Sequence, residues 1–324
     1  MTTHIQHDEG SLTLALINQA HARISSVINH TPVLTSETLD RQTGAKLYFK
    51  CENFQKVGAF KARGAANAVL LLEDEQAFRG VVTHSSGNHA AALARAAALR
   101  GIPAYLVMPD TAPKSKQAAV RRYGGNVILC PPTLQAREST AERVVLDKEA
   151  IFIHPYDNLH VMAGQGTTAV EFLSQVPDLD VILCPVGGGG LLSGCAVVAK
   201  NAAANVRVIA VEPSAADDAY RSFKAGYIIP SSNPITVADG LLTSLGDKPF
   251  AEIRRYVDDV VTVSEAAIVQ AMRLVWEVLK IVVEPSAAVG LAALVEEKLN
   301  VANRVVGIIL TGGNLDLDKL PWQK

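Results

Sequence analysis

Four consecutive glycines, Gly187 to Gly190, follow the apolar run Asp180–Pro185 and precede a helix expected from Leu191. Backbone N–H groups free of Cβ atoms, at the positive end of a helix, form a cradle for an anion. A flexible turn is the competing reading, although such turns seldom need a glycine run at a strand-to-helix junction. A dinucleotide fingerprint requires G-x-G-x-x-G, and Leu192 and Ser193 stand where its last glycine would fall. A P-loop requires a following Gly-Lys-Ser/Thr, and none is present. A single phosphate monoester is the simplest ligand left. Lys61 stands among small and apolar neighbours in Val57-Gly58-Ala59-Phe60-Lys61-Ala62-Arg63-Gly64. A lysine in apolar surroundings has a lowered pKa and acts as nucleophile and base, whereas a helix-start lysine is more commonly a solvated one. The string Ser85-Ser86-Gly87-Asn88-His89 offers hydroxyls and N–H groups to a carboxylate, or else an ordinary helix cap.

These residues need elements to position them. Short apolar runs at Val81–Thr83, Ala104–Met108, Asn126–Cys130, Ile151–Ile153, Asp180–Pro185, Val206–Val211 and Val305–Leu310 read as strands. Helical periods fall between them at His89–Leu99, Lys114–Tyr123, Gln135–Asp147, Gly166–Gln175, Leu191–Asn201, Glu265–Leu279 and Ser286–Glu297. Alternation of this kind is the mark of an α/β fold around a mostly parallel sheet. A chain of 324 residues exceeds the usual single core. Residues 83–152, with strand and helix units of their own, are expected as a small domain inserted between the two parts of a large one, 1–82 and 153–324.

Composition removes several function classes. A net charge of −2 leaves no basic stripe for nucleic acid. Cys51, Cys130, Cys184 and Cys195 form no CxxC pair and no zinc-ligand spacing, so they read as reduced, mostly buried thiols. The N-terminus lacks a basic start with an apolar run, and no segment approaches the ~18 apolar residues of a membrane span. A cytoplasmic protein with no membrane partner is expected.

Taken together, the strings Ala59-Phe60-Lys61-Ala62-Arg63-Gly64-Ala65, Thr83-His84-Ser85-Ser86-Gly87-Asn88-His89, Gly187–Gly190, Val211-Glu212-Pro213, Glu284-Pro285-Ser286 and Thr311-Gly312-Gly313-Asn314 resemble fold-type II pyridoxal-5′-phosphate (PLP) enzymes. The chain looks most like the branch of serine racemases, serine/threonine dehydratases and threo-3-hydroxyaspartate dehydratases, from about residue 15 to the C-terminus in order and spacing. The resemblance implies a tryptophan synthase β-like fold of two open, twisted, mostly parallel sheets with helices on both faces. It makes Lys61 the Schiff-base lysine and places Phe60, Asn88, Gly187, Gly188, Gly189, Gly190, Leu191, Gly240, Glu284 and Thr311 around the cofactor. Thr311 would face the pyridine nitrogen, where a neutral hydroxyl makes a weaker electron sink than a carboxylate and favours elimination over transamination. Without the family, Thr311 reads as a strand-end residue before a Gly-Gly turn. Ser85, Ser86, Asn88, His89, Arg137 and Thr243 would contact a small amino acid substrate, with Ser86 as the acid/base opposite Lys61. His89 alone reads as a satisfied core histidine, and Arg137 as part of a solvated helix face.

Glu212, Ala216 and Asp218 match the branch's divalent-cation site, two carboxylates and a carbonyl suited to Mg²⁺ or Ca²⁺, although by themselves they read as surface acids at a strand end. Where mammalian serine racemases carry a nucleotide-binding glutamine, this chain has Ala91, which speaks against nucleotide activation. A homodimer is expected. The implied activity is an ammonia-lyase (dehydratase) acting on serine, threonine and threo-3-hydroxyaspartate. The alternatives are a serine or aspartate racemase with side dehydratase activity and, from another class, a cofactor-binding protein without turnover.

Overall fold

The computed structural model describes residues 10–85, 87–202 and 205–323. Its strands, in chain order, are β1 (Val33–Thr35), β2 (Lys46–Cys51), β3 (Val81–His84), β4 (Ala104–Pro109), β5 (Asn126–Cys130), β6 (Ile151–Phe152), β7 (Val181–Pro185), β8 (Arg207–Pro213), β9 (Asp259–Val263) and β10 (Val305–Leu310). Six of them form one sheet in the order β1-β2-β10-β7-β8-β9, and four form a second in the order β5-β4-β3-β6. Every pairing is parallel except that of β1 with β2. Parallel strands covered on both faces carry continuous apolar runs rather than alternation. The Val-Ile-Leu-Cys-Pro of β7 is buried throughout, as are all but the first residues of β8 and β10.

All seven expected strands form. The sheet also recruits β1, β2 and β9, which sequence patterning passed over. In β2 the reason is Lys50, a charge that breaks the apolar run yet lies fully buried in the fold. The helix expected from Gly166 begins at Leu159, capped by the Asn158 side chain on Val161 N–H at 2.9 Å. The one expected over Glu265–Leu279 is α-helical to Leu274 and then widens into a π turn.

Helix Leu159–Gln175 is the hinge pin of the large sheet's helical face. On one side it crosses helix Lys61–Leu70 so closely that a Cβ on Gly164 would lie 2.6 Å from Gly64 Cα and 2.7 Å from Arg63 O. On the other side it crosses helix Gly190–Ala202, where a Cβ on Gly194 would lie 2.6 Å from Met162 O and 2.7 Å from Gly166 N. Backbone meets backbone at both crossings, so neither partner has a side chain to swing away. The two crossings fix the helix that begins with Lys61 relative to the helix that begins at the glycine run. Gly164→Ala is therefore expected to cost on the order of 1–3 kcal/mol through forced separation of the helices, read as a lower denaturant midpoint with an unchanged slope.

Candidate active site

The parallel strands end on one side of the molecule, where ligands of open α/β sheets bind. From β7 the chain enters Gly187–Gly190, from β10 Thr311, from β3 Ser85 and Asn88, and from β6 His154, Pro155 and Tyr156. The N–H groups of Gly187 to Gly190 donate to no carbonyl among the described residues. Gly189 holds φ at +89°, and the Tyr156 ring lies so close to Gly188 that a Cβ there would approach Cγ at 2.2 Å. The opposite wall is Gly240, whose N–H donates to Ser286 Oγ at 3.0 Å and whose carbonyl would lie 3.2 Å from a Cβ on Gly187. Unpaired, inward-turned N–H groups at a helix start constitute an anion site.

Lys61 opens its helix beside this cradle. Its Nζ donates to Pro155 O at 2.8 Å and sits 5.2 Å from the Phe60 ring centroid. Burial pushes the amine down to about 8. Phe60 N–H donates to Thr311 O at 3.1 Å, which brings the ring, the lysine and the buried threonine to one place. Asn88 Nδ2 donates to both Glu284 oxygens, at 2.9 and 3.2 Å. Asn314 completes the group, its Nδ2 reaching Asn88 Oδ1 at 2.9 Å and Val57 O at 2.7 Å while its N–H reaches Glu284 at 3.1 Å. Burial, with the charge of Asp239, raises the Glu284 carboxyl to about 7 against these hydrogen bonds.

The wall facing Lys61 is rich in histidine. His89 is buried, with Nε2 3.4 Å from Ile153 O and Nδ1 unpartnered; burial and then the Lys61 charge hold it well below the usual imidazole range. His154 Nδ1 accepts Asp157 N–H at 2.8 Å, and burial pushes this ring down to about 3. The Tyr156 hydroxyl is hydrogen-bonded to Thr243 and raised to about 12, chiefly by burial. Ser85 Oγ lies 3.4 Å from Gly87 N–H, and Ser86 lies outside the described residues. Arg137 is half-buried, and its charge bears on His84.

The family model of pyridoxal-phosphate dependent enzymes matches residues 24–312. The chain belongs to that family. It is 53% identical over 303 residues to the β-hydroxyaspartate dehydratase of Paracoccus denitrificans (strain Pd 1222), covering 94% of this chain and 96% of that protein. It is 51% identical over 309 residues to a serine racemase of Arabidopsis thaliana, covering 94% and 93% of the two chains. A solved maize serine racemase superposes with a TM-score of 0.93 at 47% identity, covering 95% of each chain.

The residues present fit PLP. A chain of free N–H groups suits its phosphate, and a buried amine whose hydrogen bond goes only to a carbonyl suits its aldehyde. In this PLP enzyme three positions to which the sequence reading gave no role, two of them (Ser286 and Asn314) within its quoted strings, also shape the site. Tyr156 presses on the cradle, Ser286 backs it, and Asn314 steadies Asn88. The His154-Pro155-Tyr156-Asp157 string after an expected strand was the available signal for the first.

Glu212 and Asp218 are both buried and receive only backbone N–H groups, from Ala219 and Tyr220 and from Leu245. Burial raises Glu212 to about 9 and Asp218 to about 6. No group of three or more His, Cys, Asp or Glu among the described residues is arranged for a metal; the expected site needs two carboxylates and the Ala216 carbonyl. Arg221 pairs with Asp217 and reaches Asp218 only by its charge, so among the described residues the two buried acids form no ion pair, an arrangement that fits a hard cation.

Beneath Lys61, Arg63 binds Glu52 through Nε and one terminal nitrogen, both at 2.8 Å, and Glu171 through two nitrogens at 2.7 and 2.8 Å. Lys50 donates to Glu171 at 2.7 Å. Burial alone would raise Glu171, but the hydrogen bonds and charge of Arg63, then Lys50, hold it down to about 2. A carboxyl depressed in the folded state contributes stability above its unfolded value, and that contribution is lost as pH falls. Glu171→Gln should cost on the order of 3–5 kcal/mol at neutral pH by leaving Lys50 and Arg63 underpaired. Denaturant titrations across the acid range should show the wild type losing this advantage as pH drops from 4.5 towards about 2, with the variant flatter there.

Proposed function

We propose that this chain is a PLP-dependent ammonia-lyase that converts small β-hydroxy amino acids, L-serine, L-threonine and threo-3-hydroxyaspartate, to 2-oxo acids and ammonia. The carrying observation is the buried Lys61 amine beside an unpaired N–H cradle, in a chain that matches a β-hydroxyaspartate dehydratase over 94% of its length. Bound PLP supplies the electron sink for the pair released at Cα. Gly187 to Gly190 and the Leu191 N–H would hold its phosphate, Phe60 would pack on its ring, Asn88, steadied by Glu284 and Asn314, would bind its phenolic oxygen, and Thr311 would offer a neutral hydroxyl to the ring nitrogen. Burial lowers the Lys61 amine to about 8, so its neutral fraction near pH 7 is far larger than that of an exposed lysine, and that form takes the Cα proton from its own face. Ser85, Asn88 and His89 receive the substrate carboxylate, and Thr243 lies at the substrate side. The β-hydroxyl then leaves with a proton as water, and the released enamine takes up water to give the 2-oxo acid and ammonia.

A racemase activity is the second reading, favoured by the identity to serine racemases. Reprotonation on the far face needs a second donor, for which Ser86 is the candidate. The second sheet, β3 to β6, supports reading 83–152 as a small domain that brings His89 towards Lys61. The four buried free cysteines support a cytoplasmic home, where the enzyme would act as a homodimer. None of the described helices is long and apolar enough to cross a membrane.

Borohydride reduction followed by peptide mapping should place the cofactor on Lys61, and Lys61→Ala should abolish both the adduct and 2-oxo acid formation. An adduct on another lysine would overturn the assignment. Glu212, Ala216 and Asp218 are proposed to hold Mg²⁺ or Ca²⁺. Chelator should lower the thermal midpoint and either ion restore it, since a ligand at about 100 times its Kd adds ~2.7 kcal/mol to the native state. The response should vanish in Asp218→Ala; a wild type indifferent to chelator would remove the metal from the scheme.

A further inference from the structure

The segment before Lys61 turns through two left-handed residues. Val57 holds φ at +58° and ψ at 11°, a region that β-branched side chains seldom enter, and Gly58 follows at φ +72°. The chain then runs antiparallel to the residues after β10. Phe60 N–H donates to Thr311 O at 3.1 Å, Gly313 N–H donates to Gly58 O at 2.9 Å, and Ala59 bridges Gly312. The turn leaves the Val57 carbonyl aimed at Asn314, whose Nδ2 donates to it at 2.7 Å. A Cβ on Gly58 would lie 2.8 Å from Asn314 Oδ1, so the same side-chain amide needs a glycine beside it.

A main-chain carbonyl can only accept, and from that a series of orientations follows. Val57 O requires Nδ2 of Asn314 rather than Oδ1. The second N–H of that group goes to Asn88 at 2.9 Å, so Asn88 presents its Oδ1 there. Its Nδ2 then faces Glu284, 2.9 and 3.2 Å from the two oxygens. Glu284 by itself would not decide the matter. Its carboxyl is raised to about 7, first by burial, and near neutrality it can serve as donor or acceptor. The two N–H bonds of Asn88 diverge too widely to meet both oxygens of one carboxylate, so the oxygens share one of them. The other N–H has no acceptor among the described residues.

We infer that Asn314 is a positioning residue: anchored on the Val57 carbonyl, it turns the Asn88 amide so that an N–H, and not the amide oxygen, meets the phenolic oxygen of the cofactor. The inference rests on the proposed placement of PLP on Lys61 with Asn88 at that oxygen. A donor at this point favours the ionised oxygen over the protonated one. It also gives the left-handed Val57 a purpose, because relaxing that turn would carry its carbonyl away from Asn314. Asn314 is itself exposed, so truncating it opens no cavity in the core.

The test follows the holoenzyme by its absorption band and by cofactor affinity, with borohydride reduction and peptide mapping to locate the adduct. Asn314→Asp keeps the shape of the side chain but has no donor for Val57 O or for Asn88 Oδ1. Asn88 should then turn its Nδ2 to the new carboxylate and leave Oδ1 at the cofactor. Absorption should move from the band of the ionised oxygen to the shorter-wavelength band of the protonated one. Asn314→Ala should weaken the cofactor by about tenfold, the worth of one hydrogen bond. In an Asn88→Ala background the same change should cost no more than about twofold, because its effect passes through Asn88. A merely structural contribution of Asn314 would persist in that background. An unmoved band in Asn314→Asp, or equal losses of affinity in the two backgrounds, would overturn the inference while an adduct mapped to Lys61 keeps the lyase reading in place. An adduct on another lysine would defeat both.

Discussion

A guanidinium with no exposure to water sets the frame of this molecule. Arg63 is fully enclosed, and an unpaired charge there would cost several kcal/mol. Its partners come from far along the chain: Glu52 lies just after β2, and Glu171 lies on helix Leu159–Gln175. Lys50, also enclosed, joins Glu171 to the carbonyl of Thr31 at 2.9 Å. The quartet can be satisfied only if β2, the Lys61 helix and helix Leu159–Gln175 meet in one arrangement. Arg63 stands two residues after Lys61, so the arrangement that pairs the charges also aims the amine.

The glycine crossings carry that order outward. With Gly64 against Gly164 and Gly166 against Gly194, three helices share one rigid stack whose ends present Lys61 and the anion cradle. Around the amine the charge pattern has a consistent sense. Burial shifts Lys61 towards its neutral form, and burial with neighbouring cations, Lys61 among them, does the same for His89 and His154. A neutral amine and neutral imidazoles are the forms that accept or relay a proton from carbon. Of the buried acids, Glu284 lies under Asn88, while Glu212 lies near the end of β8 and Asp218 opens the helix that follows it.

The alternating pattern of short apolar runs and helical periods was enough to establish the α/β class, seven of the ten strands and the glycine run that forms the cradle. Local chemistry decides those: apolar β-branched residues favour a strand covered on both faces, and a glycine run at a helix start leaves its N–H groups free. Lys61, Asn88 and Thr311 could be singled out because each sits in a compact string, at a strand end or helix start, that resembles the family's. Strand β2 was not, since Lys50 reads as solvated until Glu171, which lies 121 positions away, is brought against it. The parts played by Tyr156, Ser286 and Asn314 were hidden for the same reason. Each acts on a residue remote in sequence, Gly188, Gly240 and Asn88, and no local period encodes that pairing. The histidine wall is a tertiary product too, because separate strand ends deliver His84 and His154 and only the β3–β6 pairing makes them neighbours. Sequence thus determined the elements and the reactive groups at their ends, through propensities and patterns that operate over a few residues. Tertiary structure decided which ends meet and which charges are buried together, since desolvation and pairing depend on distances that the folded chain alone establishes.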